Sequence, residues 1–202
     1  MLARRHGRIV NITSIGGAIS VPHLLPYSAA KFAATGFSQG LSAELRHKGV
    51  YVTTIAPSTM RTGSHLQAEF TGQQAKEYTW FGLSATLPGI SVSAESAAQQ
   101  AVRAMKQRAV IHYVGLPAKI GARLHGLFPG LVTELLALVN TVVLPAPAPY
   151  RAEPLRGMAV EGQLPPNQRR QLDGLTILGR QAAHEYNQYG GENLDARANL
   201  SN

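Results

Sequence analysis

Between Arg8 and Val114 short β-branched runs alternate with helix-forming stretches, and this alternation restricts the fold more than any other property of the chain. Arg8-Ile-Val-Asn-Ile-Thr reads as a strand that ends near Ser14, where Ile-Gly-Gly follows. Residues 27–48 are mostly good helix formers, with Ala30, Phe37, Leu41 and Leu45 near helical spacing. Arg46, His47 and Lys48 stand where cations offset the helix dipole, and Gly49 suits the left-handed residue after a helix. Val50-Tyr-Val-Thr-Thr-Ile-Ala56 is β-branched and apolar on both faces, like a strand covered by helices on both sides, and Pro57 stops it. Ser93 and Glu95 open a further helix that carries Ala97, Ala101, Val102 and Met105, after which Val110–Val114 returns to strand. Strand, helix, strand, helix, strand builds a parallel sheet with helices on its faces. The expected fold class is therefore α/β, with three strands of a doubly wound sheet.

The other segments are less regular. Residues 58–92 are rich in Thr, Gly and Ser, with Phe70, Trp80, Phe81 and Leu83 scattered among them, and read as a long functional or mobile loop. Beyond Gly115, helices are expected over 119–127 and 131–144, broken at Pro129-Gly130. The second is very apolar but shorter than the ~20 residues that span a bilayer, so no transmembrane span is expected. A packed helix is the favoured reading; a partner groove and a membrane-surface contact stay open. Pro145, Pro147 and Pro149 make a stiff linker, and 150–202 is polar, helical around 168–188, with a frayed end at Gly190-Gly191. Composition thus divides the chain into 1–115, 116–149 and 150–202.

Charge and composition exclude several function classes. The 202 residues include no cysteine, which removes disulfide scaffolds, thiolate zinc sites and cysteine nucleophiles. Net charge is +8, of which residues 1–115 carry +7. The cluster Arg4, Arg5, His6 and Arg8 is short, runs at once into a strand and has no interleaved aromatic residues, so nucleic acid is not the expected partner. No apolar stretch follows these cations as a signal peptide requires, and a cytoplasmic protein is expected; Asn11 and Asn199, in Asn-x-Ser/Thr sequences, then carry no glycan. The seven histidines form no short-spaced pair with a carboxylate, and no metal site is expected.

One constellation points to chemistry. Tyr27-Ser-Ala-Ala-Lys31 places a phenol and an ammonium one turn apart on a helical face. Tyrosine, with an ordinary pKa of about 10, is a poor acid–base catalyst at neutral pH, and a cation held beside a phenol favours its ionised form. Ser14 lies thirteen residues upstream, at the carboxyl end of a strand, where open α/β sheets bind ligands. A hydroxyl there can hydrogen-bond a carbonyl oxygen as charge develops on it.

Gly7-Arg-Ile-Val-Asn-Ile-Thr-Ser14, Tyr27-Ser-Ala-Ala-Lys31 and Ile55-Ala-Pro-Ser-Thr-Met-Arg-Thr62 together resemble the short-chain dehydrogenase/reductase family: its fifth strand with the catalytic serine, its Tyr-x-x-x-Lys helix and the segment after its sixth strand. The resemblance covers residues 7–115. It implies a partial Rossmann-like sheet and an oxidoreductase that interconverts an alcohol and a carbonyl with NAD or NADP. Ser14 would polarise the carbonyl and Tyr27 would move the proton. Lys31 would tune the tyrosine and hold the nicotinamide ribose, and Pro57, Ser58 and Thr62 would lie along the nicotinamide. The helix 27–48 resembles one used for dimer packing, which implies a homo-oligomer. Trp80 and Phe81 would form an apolar lid over a bulky hydrophobic substrate. Ser58 replaces the family's usual glycine, and no Gly-x-x-x-Gly-x-Gly run is present to cradle a pyrophosphate. The chain is accordingly expected to be the carboxyl-terminal portion of such an enzyme, weak or inactive in isolation, with a carboxyl-terminal extension.

Two other readings compete. Gly36-Phe-Ser38-Gln-Gly40 matches the Gly-x-Ser-x-Gly elbow of α/β-hydrolases, with Asp173 and His184 following in the right order, but the elbow needs a strand-to-helix turn and Ser38 falls mid-helix. In the third reading the chain is a non-enzymatic interaction module, Tyr27 and Lys31 merely pack, and the 131–144 helix binds a partner.

Overall fold

The computed structural model describes residues 1–146, 148, 153–186 and 188. In chain order its elements are β1 (Gly7–Ile12), α1 (Leu25–Leu45), β2 (Val50–Pro57), β3 (Met60–Arg61), α2 (Ser64–Gln67), β4 (Glu69–Phe70), α3 (Gln74–Thr86), β5 (Val92–Ser93), α4 (Ala94–Lys106), β6 (Ile111–Val114), α5 (Leu116–Leu127), α6 (Pro129–Val142), β7 (Leu155–Arg156), α7 (Gly157–Gln163), α8 (Pro166–Leu175) and α9 (Ile177–Glu185). They form two compact units, Met1–Ser58 with Ala94–Val142, and Thr59–Ser93 with the described part of Val143–Asn202. The compositional boundaries at 115 and 149 cut across both.

The first unit is the α/β part. Its sheet has the order β1-β2-β6 and is parallel throughout. Gly7 pairs with Val50 through to Ile12 with Ile55, and Thr54 with Ile111 through to Pro57 with Val114. The middle strand buries Val50, Val52, Ile55 and Ala56, as its two-sided apolar pattern requires. Helix α1 turns a stripe of small hydroxyl residues inward: Ser28, Thr35, Ser38 and Ser42. Short side chains let the helix lie close to the sheet, and their hydroxyls find partners there. Ser42 Oγ donates to the Val52 carbonyl at 3.2 Å, and Ser38 Oγ lies 2.7 Å from Thr54 Oγ1 while accepting from Asn11 Nδ2 at 3.0 Å. Phe37, counted in the helical spacing of apolar residues, is therefore on the outer face and 67% exposed. A 3-10 turn at Arg46–Lys48 ends the helix, and Gly49 takes φ 75°. A side chain on Gly49 would also come within 2.1 Å of the Arg5 carbonyl oxygen, so position 49 excludes one twice over.

Helices α5 and α6 overlap the expected 119–127 and 131–144, but the break falls at Phe128, and Pro129-Gly130 open α6 where a break was expected. The packed-helix expectation for the second fails: no residue of α6 is buried.

The second unit corrects the reading of 58–92 as irregular. Residues 74–86 are helical, with Tyr78, Gly82, Ala85 and Thr86 buried. That set has helical spacing, but only one of the four is a large apolar-bodied residue, so hydrophobicity alone conceals it. Phe70, Tyr78, Val160, Leu164 and Leu172 make the core, with the Phe70 and Tyr78 rings edge-on at 5.6 Å. Antiparallel β4 and β7 pair Glu69 with Arg156 and Phe70 with Leu155; parallel β3 and β5 pair Met60 with Val92. The expected helix around 168–188 is two helices, α8 and α9, broken at Thr176. Pro147, Pro149, Gly190-Gly191 and Asn199 lie outside the described residues.

Candidate active site

At the carboxyl end of β1 the chain is held by Thr13, whose N–H and hydroxyl both donate to the Ile55 carbonyl, at 2.7 and 3.1 Å. Ser14 follows in extended conformation and caps a 3-10 turn at Ile15–Gly17, its Oγ accepting from the Gly16 N–H at 3.1 Å. That bond occupies a lone pair and leaves the hydroxyl hydrogen to donate.

Tyr27 stands in the first turn of α1, one residue after Pro26, which suits a helix start. The loop before it is tied down by the Val21 N–H donating to Ser28 Oγ at 3.2 Å. Tyr27 is 46% exposed, so its hydroxyl is reachable from solvent. Lys31 Nζ lies 5.6 Å from the centre of the Tyr27 ring, as a four-residue helical spacing allows.

Gly16 joins these groups, and sequence reasoning missed its role. The point at which a side chain on Gly16 would begin is 3.1 Å from Tyr27 Cε1 and 3.5 Å from Ser14 Oγ. The serine and the tyrosine thus face each other across the bare face of a glycine. The next residue, Gly17, packs against the Lys31 carbonyl of α1, where a side chain would come within 2.5 Å of the oxygen. The signal in the sequence was the glycine pair immediately behind Ser14, read there only as a strand boundary.

Pro57 and Ser58 end β2, beside β1 in the same sheet, with the Ser58 N–H donating to the Val114 carbonyl at 3.0 Å. They share with Ser14 the carboxyl-terminal edge of the sheet. Thr62 belongs to the other compact unit, where it precedes Gly63 at φ 77°. Ser38 is fully buried in the middle of α1, bonded to Thr54 and Asn11, and has no strand-to-helix turn around it. Asp173 pairs with Arg180 in the second unit. The Gly36–Gly40 match is therefore a stretch of helix whose Ser38 packs against the sheet, and not a nucleophile elbow.

Residues 1–73 match the family model described as short chain dehydrogenase. Among curated relatives, human 17-beta-hydroxysteroid dehydrogenase 13 is 39% identical over 66 residues, 31% of this chain and 22% of that protein. The 3-ketodihydrosphingosine reductase of Bacteroides thetaiotaomicron is 38% identical over 76 residues, 36% of this chain and 28% of that protein. The matched stretch spans about a quarter of the length of these relatives. A solved short chain dehydrogenase from Burkholderia cenocepacia, in complex with NADP, covers 71% of this chain and 50% of its own, at 22% identity and a TM-score of 0.48. Through its first 73 residues, the chain is thus similar to the short-chain dehydrogenase/reductase family.

Proposed function

We propose that this chain carries the acid–base part of an NAD(P)-dependent oxidoreductase site that interconverts an alcohol and a carbonyl, with Ser14, Tyr27 and Lys31 as its working groups. The observation that carries the reading is the facing pair: Ser14 Oγ and the Tyr27 ring within 3.5 Å of the same vacant glycine position, with Lys31 beside the ring. The nicotinamide end of the cofactor would lie at this edge of the sheet, where the absence of a side chain at Gly16 lets the Ser14 hydroxyl and the Tyr27 ring come close. Lys31, Pro57 and Ser58 would hold it, and when bound it supplies the hydride. For carbonyl reduction, the Ser14 hydroxyl donates a hydrogen bond to the substrate oxygen and stabilises the charge that develops there. Tyr27 Oη gives that oxygen its proton; in the reverse direction it takes the proton from the alcohol. Lys31 keeps a cation beside the Tyr27 ring. The Gly-x-x-x-Gly-x-Gly run that the family resemblance calls for at the pyrophosphate does not occur in the sequence.

Two experiments test this. Titration calorimetry of the 202-residue chain with NADH and with NADPH is expected to show affinity weaker than micromolar, and a micromolar Kd would overturn the view that these residues lack most of the dinucleotide site. In a preparation that reduces a carbonyl with either cofactor, Tyr27→Phe is expected to lower kcat by about 10² or more. Ser38→Ala should leave kcat nearly unchanged, and the opposite pattern would overturn the assignment. Trp80 sits in α3 and Phe81 packs against the core of the second unit. The exposed Phe32 and Phe37 of α1 support a homo-oligomer formed along that helix, and a cytoplasmic setting completes the reading.

A further inference from the structure

Helices α5 and α6 carry apolar residues that the described residues leave largely exposed. Ile120, Leu124, Leu127, Leu131, Leu135 and Leu138 are between 47% and 71% exposed. Their spacing of three and four residues makes one outward stripe along each helix. Phe128, between the two helices, is 54% exposed. Soluble monomers rarely expose contiguous apolar patches beyond a few hundred Å².

The dimensions rule out a crossing. The two helices have 12 and 14 residues, which at 1.5 Å per residue gives about 18 and 21 Å, against ~30 Å of bilayer hydrocarbon. Among the described residues no helix is long and apolar enough to cross a membrane. The charges then separate the remaining occupants. Lys119 and Arg123 lie four apart on α5, each one position before a residue of the stripe and so about 100° round from it. Glu134, the one acidic residue in 116–142, likewise stands one position before Leu135, which leaves the hairpin at +1 while the chain as a whole carries +8. A second copy would bring the same cations and the same excess to the contact. An anionic lipid surface brings the opposite charge, and Lys and Arg beside an apolar stripe lay their stems along it while their heads reach the phosphates.

We propose that the α5–α6 hairpin is a monotopic anchor that seats its apolar stripe in the interfacial layer of an anionic bilayer, with Lys119 and Arg123 at the lipid phosphates. The proposal is independent of the oxidoreductase reading, because it uses none of the residues at the end of β1.

Vesicle flotation of the full chain tests it, with phosphatidylcholine vesicles with and without phosphatidylglycerol, alongside light scattering of the lipid-free protein. The chain is expected to float with the anionic vesicles and to fall by about tenfold on phosphatidylcholine alone or at high salt. Leu131→Glu with Leu135→Glu should abolish flotation, and Phe37→Gln, an equally exposed apolar site on α1, should leave it intact. If the double glutamate variant misfolds by circular dichroism, Lys119→Gln with Arg123→Gln serves instead, with an expected loss of about tenfold or more. Three results would overturn the anchor: a folded chain that floats with neither vesicle, flotation unaltered by the hairpin variants, or a lipid-free dimer that the glutamates convert to a monomer without any flotation. The last would assign the stripe to a second copy.

Discussion

The interiors of the two units are built from different chemistry. Around α1 and β2 the first unit buries aliphatic side chains on the strand and uncharged hydroxyls on the helix, joined by hydrogen bonds such as Ser38 to Thr54 at 2.7 Å. The second unit buries aromatic rings and, beside them, a carboxylate. Glu161 is 5% exposed and accepts from the Tyr78 hydroxyl at 2.7 Å and from Arg180 at 2.6 Å, with Arg169 at 3.6 Å. Burial pushes the Glu161 carboxyl up, but the Tyr78 and Arg180 hydrogen bonds and the two guanidinium charges outweigh it and hold it below its ordinary value. His65 is 2% exposed, with its ring 6.1 Å from that of Tyr78. Burial lowers its pKa to about 4, against the pull of Glu161 and with the push of Arg180. The second unit thus makes its stability depend on ionisation states that these hydroxyl pairs do not involve.

The single tryptophan separates the two units in experiment, since Trp80 lies in the second, whereas circular dichroism reads both. The largest expected effect is Glu161→Ala. It leaves Arg180 only the half-exposed Asp173 as a partner, and breaking a buried pair of this kind costs about 3–5 kcal/mol. Urea unfolding followed by Trp80 fluorescence should shift to much lower midpoint. Glu161→Leu with Arg180→Leu should recover most of the loss, because no uncompensated charge is left inside. A Glu161→Ala shift below about 1 kcal/mol would mean that the ion pair is solvated and the contrast between the units false.

Acid gives the next largest effect. His65 stays neutral in the fold down to about 4, while an unfolded histidine takes a proton below about 6.5. The unfolded state therefore binds the extra proton, and the stability held by neutral His65 is complete above pH 6.5 and is lost progressively as pH falls toward 4. Between pH 7 and 4.5 the second unit should lose about 2 kcal/mol by Trp80 fluorescence. Glu161 adds a loss of the same sign further down, below its ordinary carboxylate range. His65→Leu should flatten the profile between pH 6.5 and 4.5; an unchanged slope would place the titrating group elsewhere.

This contrast also governs what could be read in advance. The Ser14, Tyr27 and Lys31 arrangement was legible because local periodicities fix it: a strand end and a four-residue helical spacing each place a side chain without reference to distant residues. The buried cluster was not. Glu161, Arg180 and Tyr78 come from α7, α9 and α3, up to 102 residues apart in number, and sequence spacing says nothing of their meeting. Helix α3 was hidden for a related reason, since its inward face uses Gly82 and Thr86 where close approach to other groups matters more than hydrophobicity. A side chain on Gly82 would touch His65 and Thr176 at 3.8 and 3.9 Å, and the Thr86 hydroxyl donates back to the Gly82 carbonyl. Helix α1 was found, but the assignment of its faces was only partly legible: Phe37 raised the helical signal although it points outward, and the inward stripe is polar by composition.

That polar stripe supplies the smallest and most discriminating test. Ser38→Ala removes the hydroxyl that lies 2.7 Å from Thr54 Oγ1 and accepts from Asn11 Nδ2. A hydrogen bond between uncharged groups is worth about 1 kcal/mol net. The cost here should sit near that value and not above it, because the Thr54 hydroxyl can turn to another acceptor while alanine keeps the close approach of helix and strand. Circular dichroism should report the loss, with no change in Trp80 fluorescence at the same urea concentration, since the perturbation lies in the first unit and the reporter in the second. If Ser38→Ala instead moves the Trp80 transition as much as Glu161→Ala does, the two units unfold as one, and the difference in their interiors has no bearing on which of them yields first.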